Sequence, residues 1–227
     1  MRSRLIILAA VAALSCASPA LAGGRLDDRT AEAVTASDVS RMQRAAARGD
    51  AQAMYDLGLV YRDGDGAAKD LKKAFAWFRK AALRGNAEAM NEVGCAYSRG
   101  AGVTQDYVAA LDWFRKAAAS GDVIAMLNIG VVYDNGEGVA IDDAQAVHWY
   151  RRAAEGGDPT AALYLANMYE RAEGVTLDYE EAARWYRKAA ASDDADERAQ
   201  AEAGLERVDH GQLPIAPPRD ATSLTTT

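Results

Sequence analysis

Residues 85–120, GNAEAMNEVGCAYSRGAGVTQDYVAALDWFRKAAAS, read as one helical hairpin that recurs along the chain. Asn86 stands where a helix N-cap belongs, ready to accept a backbone N–H that has no partner within the helix. Ala89, Val93 and Tyr97 follow at four-residue steps and make one apolar stripe. Gly100-Ala101-Gly102 ends the helix, because glycine reaches the left-handed backbone of a tight turn. Asp106 then caps a second helix that closes on Trp113-Phe114-Arg115-Lys116-Ala117-Ala118.

The same pattern begins at Gly49, Gly85, Gly121 and Gly157, and the four copies over 49–84, 85–120, 121–156 and 157–192 align without a gap. A fixed period of this size signals a solenoid of stacked units. The first-helix caps fall on Asp50, Asn86, Asp122 and Asp158, and the second-helix caps on Asp70, Asp106, Asp142 and Asp178. Gln145 and Glu181, three residues after their caps, are placed to complete capping boxes. Ala172 alone replaces the first turn glycine. All four tryptophans share one column, at 77, 113, 149 and 185, each followed by Phe or Tyr. Together these aromatics should fill the gaps between helices, with the following alanine pairs letting neighbours approach. Trp113→Ala should then cost about 3–5 kcal/mol.

This pattern resembles the Sel-one-like repeat family, relatives of the tetratricopeptide repeats. The residues that carry the likeness are the Ala-x-Ala-Met start, Leu57-Gly58-x-x-Tyr61 and its copies, the Gly-x-Gly-Val turn, the capping Asp and the Trp-Phe/Tyr-Arg-Lys-Ala-Ala close, over residues 49–192. The resemblance implies an all-α fold, a right-handed α/α superhelical solenoid of four helix-turn-helix repeats whose first helices line a concave face.

The ends read differently. Arg2 and Arg4, the apolar run Leu5 to Leu14 and Ala20-Leu21-Ala22 before Gly23 read as a secretory signal peptide over 1–22, so the expected location is outside the cytoplasm, first the periplasm, with secretion as the alternative. Cys16 is preceded by Ala13-Leu14-Ser15, a partial likeness to a lipoprotein signal, so a lipid anchor at Cys16 stands as a secondary reading. Residues 23–36 read as a flexible segment and 37–208 as the solenoid. Its capping helices fall at 38–48, with Ser37 or Asp38 as N-cap, and at 195–208. Residues 209–227, with three prolines and a closing run of threonines, read as a disordered tail. A net charge of -7 and a pI near 5.0 argue against nucleic acid as a partner. The mature chain holds no apolar run long enough for a transmembrane segment. Cys95, the one cysteine left after residue 22, cannot build a disulfide framework.

The residues offer no chemistry beyond recognition. There is no nucleophile elbow, no Ser-x-x-Lys and no His-Glu-x-x-His. His148 occupies a variable surface column, and His210 falls in the tail. Asp63-Gly64-Asp65-Gly66 only begins a calcium loop, with Ala67 and Ala68 where ligands should follow. The acidic pairs at 142–143, 180–181 and 193–194 suit helix starts, where the macrodipole favours anions. No catalytic residue, metal site or cofactor is therefore expected.

What varies among the copies is a second stripe on the first helices. It runs Gln52, Tyr55, Leu59, Arg62; then Glu88, Asn91, Cys95, Ser98; then Ile124, Leu127, Val131, Asp134; then Thr160, Leu163, Asn167, Glu170. In tetratricopeptide relatives the matching stripe lines the groove. Tyr55, Leu59, Arg62, Asn91, Cys95, Ile124, Leu127, Val131, Leu163 and Asn167, with Arg99 and Arg171 on the rim, are therefore the expected contacts to a protein or peptide partner. The opposing reading is that these residues pack helix on helix. The expected function is an exported, non-enzymatic interaction module, an adaptor or regulator. Two alternatives stand beside it: a cell-envelope hydrolase or β-lactamase-like enzyme by family analogy, and a structural or lipid-anchored component of an envelope assembly.

Overall fold

The computed structural model describes Cys16 and residues 34–210. The expected leader apart from Cys16, most of the segment 23–36 and most of the tail 209–227 lie outside the described residues.

Ten helices and no strand are present among the described residues. They are α1 (Ala36–Ala47), α2 (Ala51–Asp63), α3 (Leu71–Ala82), α4 (Ala87–Arg99), α5 (Tyr107–Ala119), α6 (Val123–Asn135), α7 (Asp143–Glu155), α8 (Pro159–Arg171), α9 (Tyr179–Ala189) and α10 (Ala195–Asp209). The architecture is an all-α helical-repeat solenoid. Two compact units divide between Ala125 and Met126, within α6. In the N-terminal unit each helix from α1 to α5 packs on the next; in the C-terminal unit α7, α8, α9 and α10 do the same, and α10 also touches α8.

All eight expected caps form. The side chains of Asp50, Asn86, Asp122 and Asp158 accept the backbone N–H of the alanine three residues on. Those of Asp70, Asp106, Asp142 and Asp178 do the same for the second helices. The first capping helix starts earlier than expected: Thr35 is its N-cap and Asp38 closes a capping box with it. Ser37 and Asp38 are thus inside α1 rather than at its cap. Glu181 spends its carboxylate on Arg184 at 3.0 Å, one turn further along its own helix, and not on a capping box. His210, expected in the tail, is the C-cap of α10.

The core differs from the expectation in one respect that matters. Phe78, Phe114, Tyr150 and Tyr186 are the buried members of the aromatic pairs, at 0–3% exposure. Trp77, Trp113 and Trp149 are only half-buried; Trp185 alone is buried. Each indole instead lies under the cation three residues later: Lys80 at 3.9 Å, Lys116 at 4.2 Å, Arg152 at 4.6 Å and Lys188 at 4.3 Å from the ring centroid. The pairing follows from helical geometry, which sets residues three apart on one face. The buried ring of each of the first three units seats on a glycine of the first helix. A Cβ added at Gly58, Gly94 or Gly130 would come within 2.3–2.5 Å of Phe78, Phe114 or Tyr150.

Ala172 is the only non-glycine with positive φ among the described residues, at 56°. It ends α8 in the left-handed geometry that Gly64, Gly100 and Gly136 adopt in the other units. A Cβ in that geometry costs roughly 1–2 kcal/mol. Ala172→Gly should therefore raise stability by about 1 kcal/mol, since the strain relieved exceeds the added chain entropy of glycine. The measurement is the urea midpoint, which should rise with an unchanged slope.

Candidate functional site

A cavity of about 440 Å³ opens in the N-terminal unit. Ala74, Phe75 and Phe78 of α3 and Cys95 and Ala96 of α4 supply its apolar lining; Arg62, Asp63, Lys69, Glu92 and Arg99 supply the charged part, with Leu71, Ala101 and Cys16 completing the wall. The repeat places these residues together. The end of a first helix, the start of its second helix and the middle of the next first helix converge wherever two hairpins stack.

Arg62 is the electrostatic centre. Its Nη1 donates to Glu92 Oε1 at 2.8 Å, while Nε and Nη2 fork onto the Asp63 carboxylate at 2.8 and 2.9 Å. Burial pushes the Glu92 carboxyl above its ordinary range, and the Arg62 charge works against that shift. Burial also raises the Tyr55 phenol and the Cys95 thiol, which feels the neighbouring Cys16 as well. Cys95 is thus a neutral thiol in an apolar wall. Its setting opposes the thiolate that a nucleophilic cysteine requires.

The expected contact residues divide. Arg62, Cys95 and Arg99 line the cavity. Tyr55 and Asn91 are buried, and the Tyr55 ring packs on Phe78 with centroids 5.7 Å apart. Leu59 is half-buried against the same core cluster, and Ile124 is half-buried near the end of the unit. In the C-terminal unit Leu127, Val131 and Leu163 are buried at 3–4% exposure, where they serve packing. Asn167 turns inward, donating to the Leu163 carbonyl at 2.9 Å, and Arg171 is half-buried.

The ends of the variable stripe do a job that sequence spacing did not suggest: they bridge one first helix to the next. Gln52 accepts from Asn86 at 3.4 Å, and Arg62 pairs with Glu92. Thr160 donates to Glu197 at 2.6 Å, and Glu170 pairs with Arg207 at 2.8 Å. Their variability among copies reflects partner-matched polar pairs as much as free surface.

The cavity residues missed from sequence include Asp63, Lys69, Leu71, Phe75, Glu92 and Ala101. Most lie at helix ends and turns, off the single helical stripe, so a 3.6-residue period could not collect them. Glu92 shares its column with Asp56, Asn128 and Tyr164, so its charge alone did not set it apart. The incipient calcium loop has structural employment: Asp63 holds Arg62, and Asp65 accepts the Val34 N–H at 3.2 Å. Among the described residues no three His, Cys, Asp or Glu side chains gather as a metal site. No helix among them is long and apolar enough to cross a membrane.

Comparison with known proteins accounts for this arrangement. Residues 51–86, 87–122, 123–158 and 159–194 each match the Sel1 repeat, every match starting at the first residue of a first helix. No curated protein matches the chain. Among solved structures, a Sel1 repeat protein from Oxalobacter formigenes is 36% identical with a TM-score of 0.70, over 80% of this chain and 71% of that one. The protective antigen c5321 of uropathogenic Escherichia coli, which displays an SLR fold, is 32% identical with a TM-score of 0.71 over 93% of this chain. The match covers 44% of that antigen, so this chain spans less than half its length. Four in-phase repeats, the helical hairpins they build and these two relatives agree: the chain belongs to the Sel1 repeat family.

Proposed function

We propose that the protein is an exported, non-enzymatic interaction module that holds a segment of a partner polypeptide in the cavity of its N-terminal unit. The carrying observation is the cavity itself, which joins an apolar lining of Phe75, Phe78, Cys95 and Ala96 to a charged lining of Arg62, Lys69, Glu92 and Arg99. Apolar wall and charge together suit a peptide: burial supplies affinity, and the charges fix register and sign. Sel1 repeats suggest protein partners in general, and the matched family is a repeat rather than a catalytic domain. The leader-like start supports export to the periplasm, where an adaptor or regulator would meet its partner.

Leu71 is well placed to test this, because it lines the cavity and is 38% exposed. Leu71→Glu combined with Arg99→Glu should leave helical circular dichroism unchanged and abolish the partner bands recovered after in-cell crosslinking. An unchanged partner set on a folded double variant removes the cavity from the reading.

A further inference from the structure

The described array begins and ends on half a hairpin. α1 stands in the frame of a second helix: Met42 occupies the column of Phe78, Arg44 that of Lys80, and Ala45-Ala46 that of the alanine pair Ala81-Ala82. It also ends as second helices end, with the Asp50 N–H donating to the Ala45 carbonyl at 3.3 Å as that of Asn86 donates to Ala81. α10 stands in the frame of a first helix, capped by Asp194 in the column of Asp158. Among the described residues no first helix precedes α1 and no second helix follows α10.

The repeat locates the side of α10 that this leaves open. In the first three units the ring of the second helix rests on Gly58, Gly94 or Gly130. The same column, continued through Ala166, reaches α10 at Glu202, which is exposed. Glu206 and Asp209 follow at i+4 and i+7, both exposed, so one acidic stripe runs along that side. Exposed Ala199 and Ala203 beside it leave room for a helix to approach. The cations of α10 are engaged elsewhere: Arg207 holds Glu170, and Arg198 donates to the Ser192 carbonyl at 2.7 Å. α1 presents the opposite sign. Arg41, Arg44 and the C-cap Arg48 are exposed at i, i+3 and i+7, and Asp38, paired with Arg41 at 3.0 Å, is the one acid of that helix.

We infer that the protein associates head to tail with a second copy of itself, α1 of one copy lying along the open side of α10 of the other, so that two half-hairpins from different copies make a whole one. A polar end face would suffice for solubility; opposite charge on the two ends gives them complementarity as well. Neither end belongs to the cavity of the N-terminal unit. Because the two surfaces differ, each pair of copies keeps one α1 and one α10 uncovered and can add another copy, so growth is open-ended. One helix pair buries less than the roughly 1,200 Å² of the smallest stable interfaces, so the association is weak. Its attraction runs between exposed charges and therefore fades as salt shortens their reach.

The test is sedimentation equilibrium over a concentration series, on the full chain and on the chain without residues 1–22. At an ionic strength of about 0.01 M the weight-average mass of both should climb with concentration without levelling at a dimer; at about 1 M the association constant should fall at least tenfold. Arg41→Glu with Arg44→Glu, and Glu202→Lys with Glu206→Lys, should each give a monomer with unchanged helical circular dichroism. Mixing the two variants should restore association, since each altered end then meets a complementary end on the other chain. Loss of fold cannot produce that rescue. Should a reversed pair unfold, the neutral changes Arg44→Gln and Glu206→Gln should each weaken association severalfold. A monomer at every concentration in low salt, a mass that stops at a closed dimer, association that survives both charge reversals, a mixture that stays monomeric, or association confined to the chain with residues 1–22 would each overturn this head-to-tail contact. Partner capture in the cavity is read separately and is untouched by any of these results.

Discussion

Phe114→Ala is expected to destabilise the protein by about 3–5 kcal/mol, with Trp113→Ala costing markedly less, in the range of 1–2 kcal/mol. The order reverses what the four-tryptophan column suggests. Phe114 is 1% exposed, and its ring lies against the bare backbone of Gly94, so on that side there is no side chain to swing into the hole. The cost is therefore the lost transfer energy of the ring plus a cavity that cannot collapse. Trp113 is half-buried against the core cluster of Phe78, Ala89 and Val93 and lies beneath Lys116, so truncation forfeits part of an apolar surface and a cation–ring contact worth about 0.5–1 kcal/mol. Urea denaturation of the two variants decides between the readings. If Trp113→Ala proves the more damaging, the indole column is the core after all, and Gly94 has some role other than seating Phe114.

The contrast shows where sequence reasoning reached and where it stopped. Eight caps and the hairpin turns were legible because each depends on neighbours within about four residues, and the repeat phase and the family because four copies align without a gap. Which member of each aromatic pair turns inward was not, since Trp and the next residue differ by a helical rotation of about 100° and both are large and apolar. The signal that would have separated them is the in-helix glycine at 58, 94 and 130, a close-approach site that spacing alone cannot match to a partner ring. Of the candidate site, Arg62 and Cys95 were found on the helical stripe and Arg99 on its rim. Lys69, Leu71 and Glu92 required tertiary placement of two hairpins. Cys16 was read as part of a leader and, secondarily, as a lipid-anchor site; nothing in a linear sequence sets residue 16 beside the cavity.

Arg207→Ala should cost about 3 kcal/mol at pH 7 and loosen α10 before the rest of the C-terminal unit. Glu170 is 2% exposed, and Arg207 grips both its oxygens, Nε to Oε1 at 2.8 Å and Nη2 to Oε2 at 3.0 Å. The Tyr186 hydroxyl hydrogen-bonds the same carboxylate. Burial alone would raise the Glu170 carboxyl, yet the hydrogen bonds from Arg207 and Tyr186 and the Arg207 charge outweigh it and hold the group below its ordinary range. A depressed carboxyl contributes stability above its unfolded value, and that contribution is lost as pH falls through the folded one. Removing Arg207 reverses the sign: the carboxylate is left buried with only the phenol, its affinity for a proton rises, and the penalty is relieved by acid. The gap between wild type and Arg207→Ala should therefore be widest at neutral pH, begin to close as pH falls through the variant's raised Glu170 value, and finish closing as it falls through the wild type's depressed one. Replacing both partners, Glu170→Met with Arg207→Met, should recover most of the loss, because the cost lies in the unpaired charge rather than in the pair's own attraction. Local hydrogen exchange should place the loss in α10, whose Gly204 backs Tyr186 and whose start remains tied by Thr160 and Ser192 to Glu197. A single-variant penalty that is flat from pH 7 to pH 4 would mean that Arg207 acts by packing its stem and that the Glu170 charge is solvated by some other route.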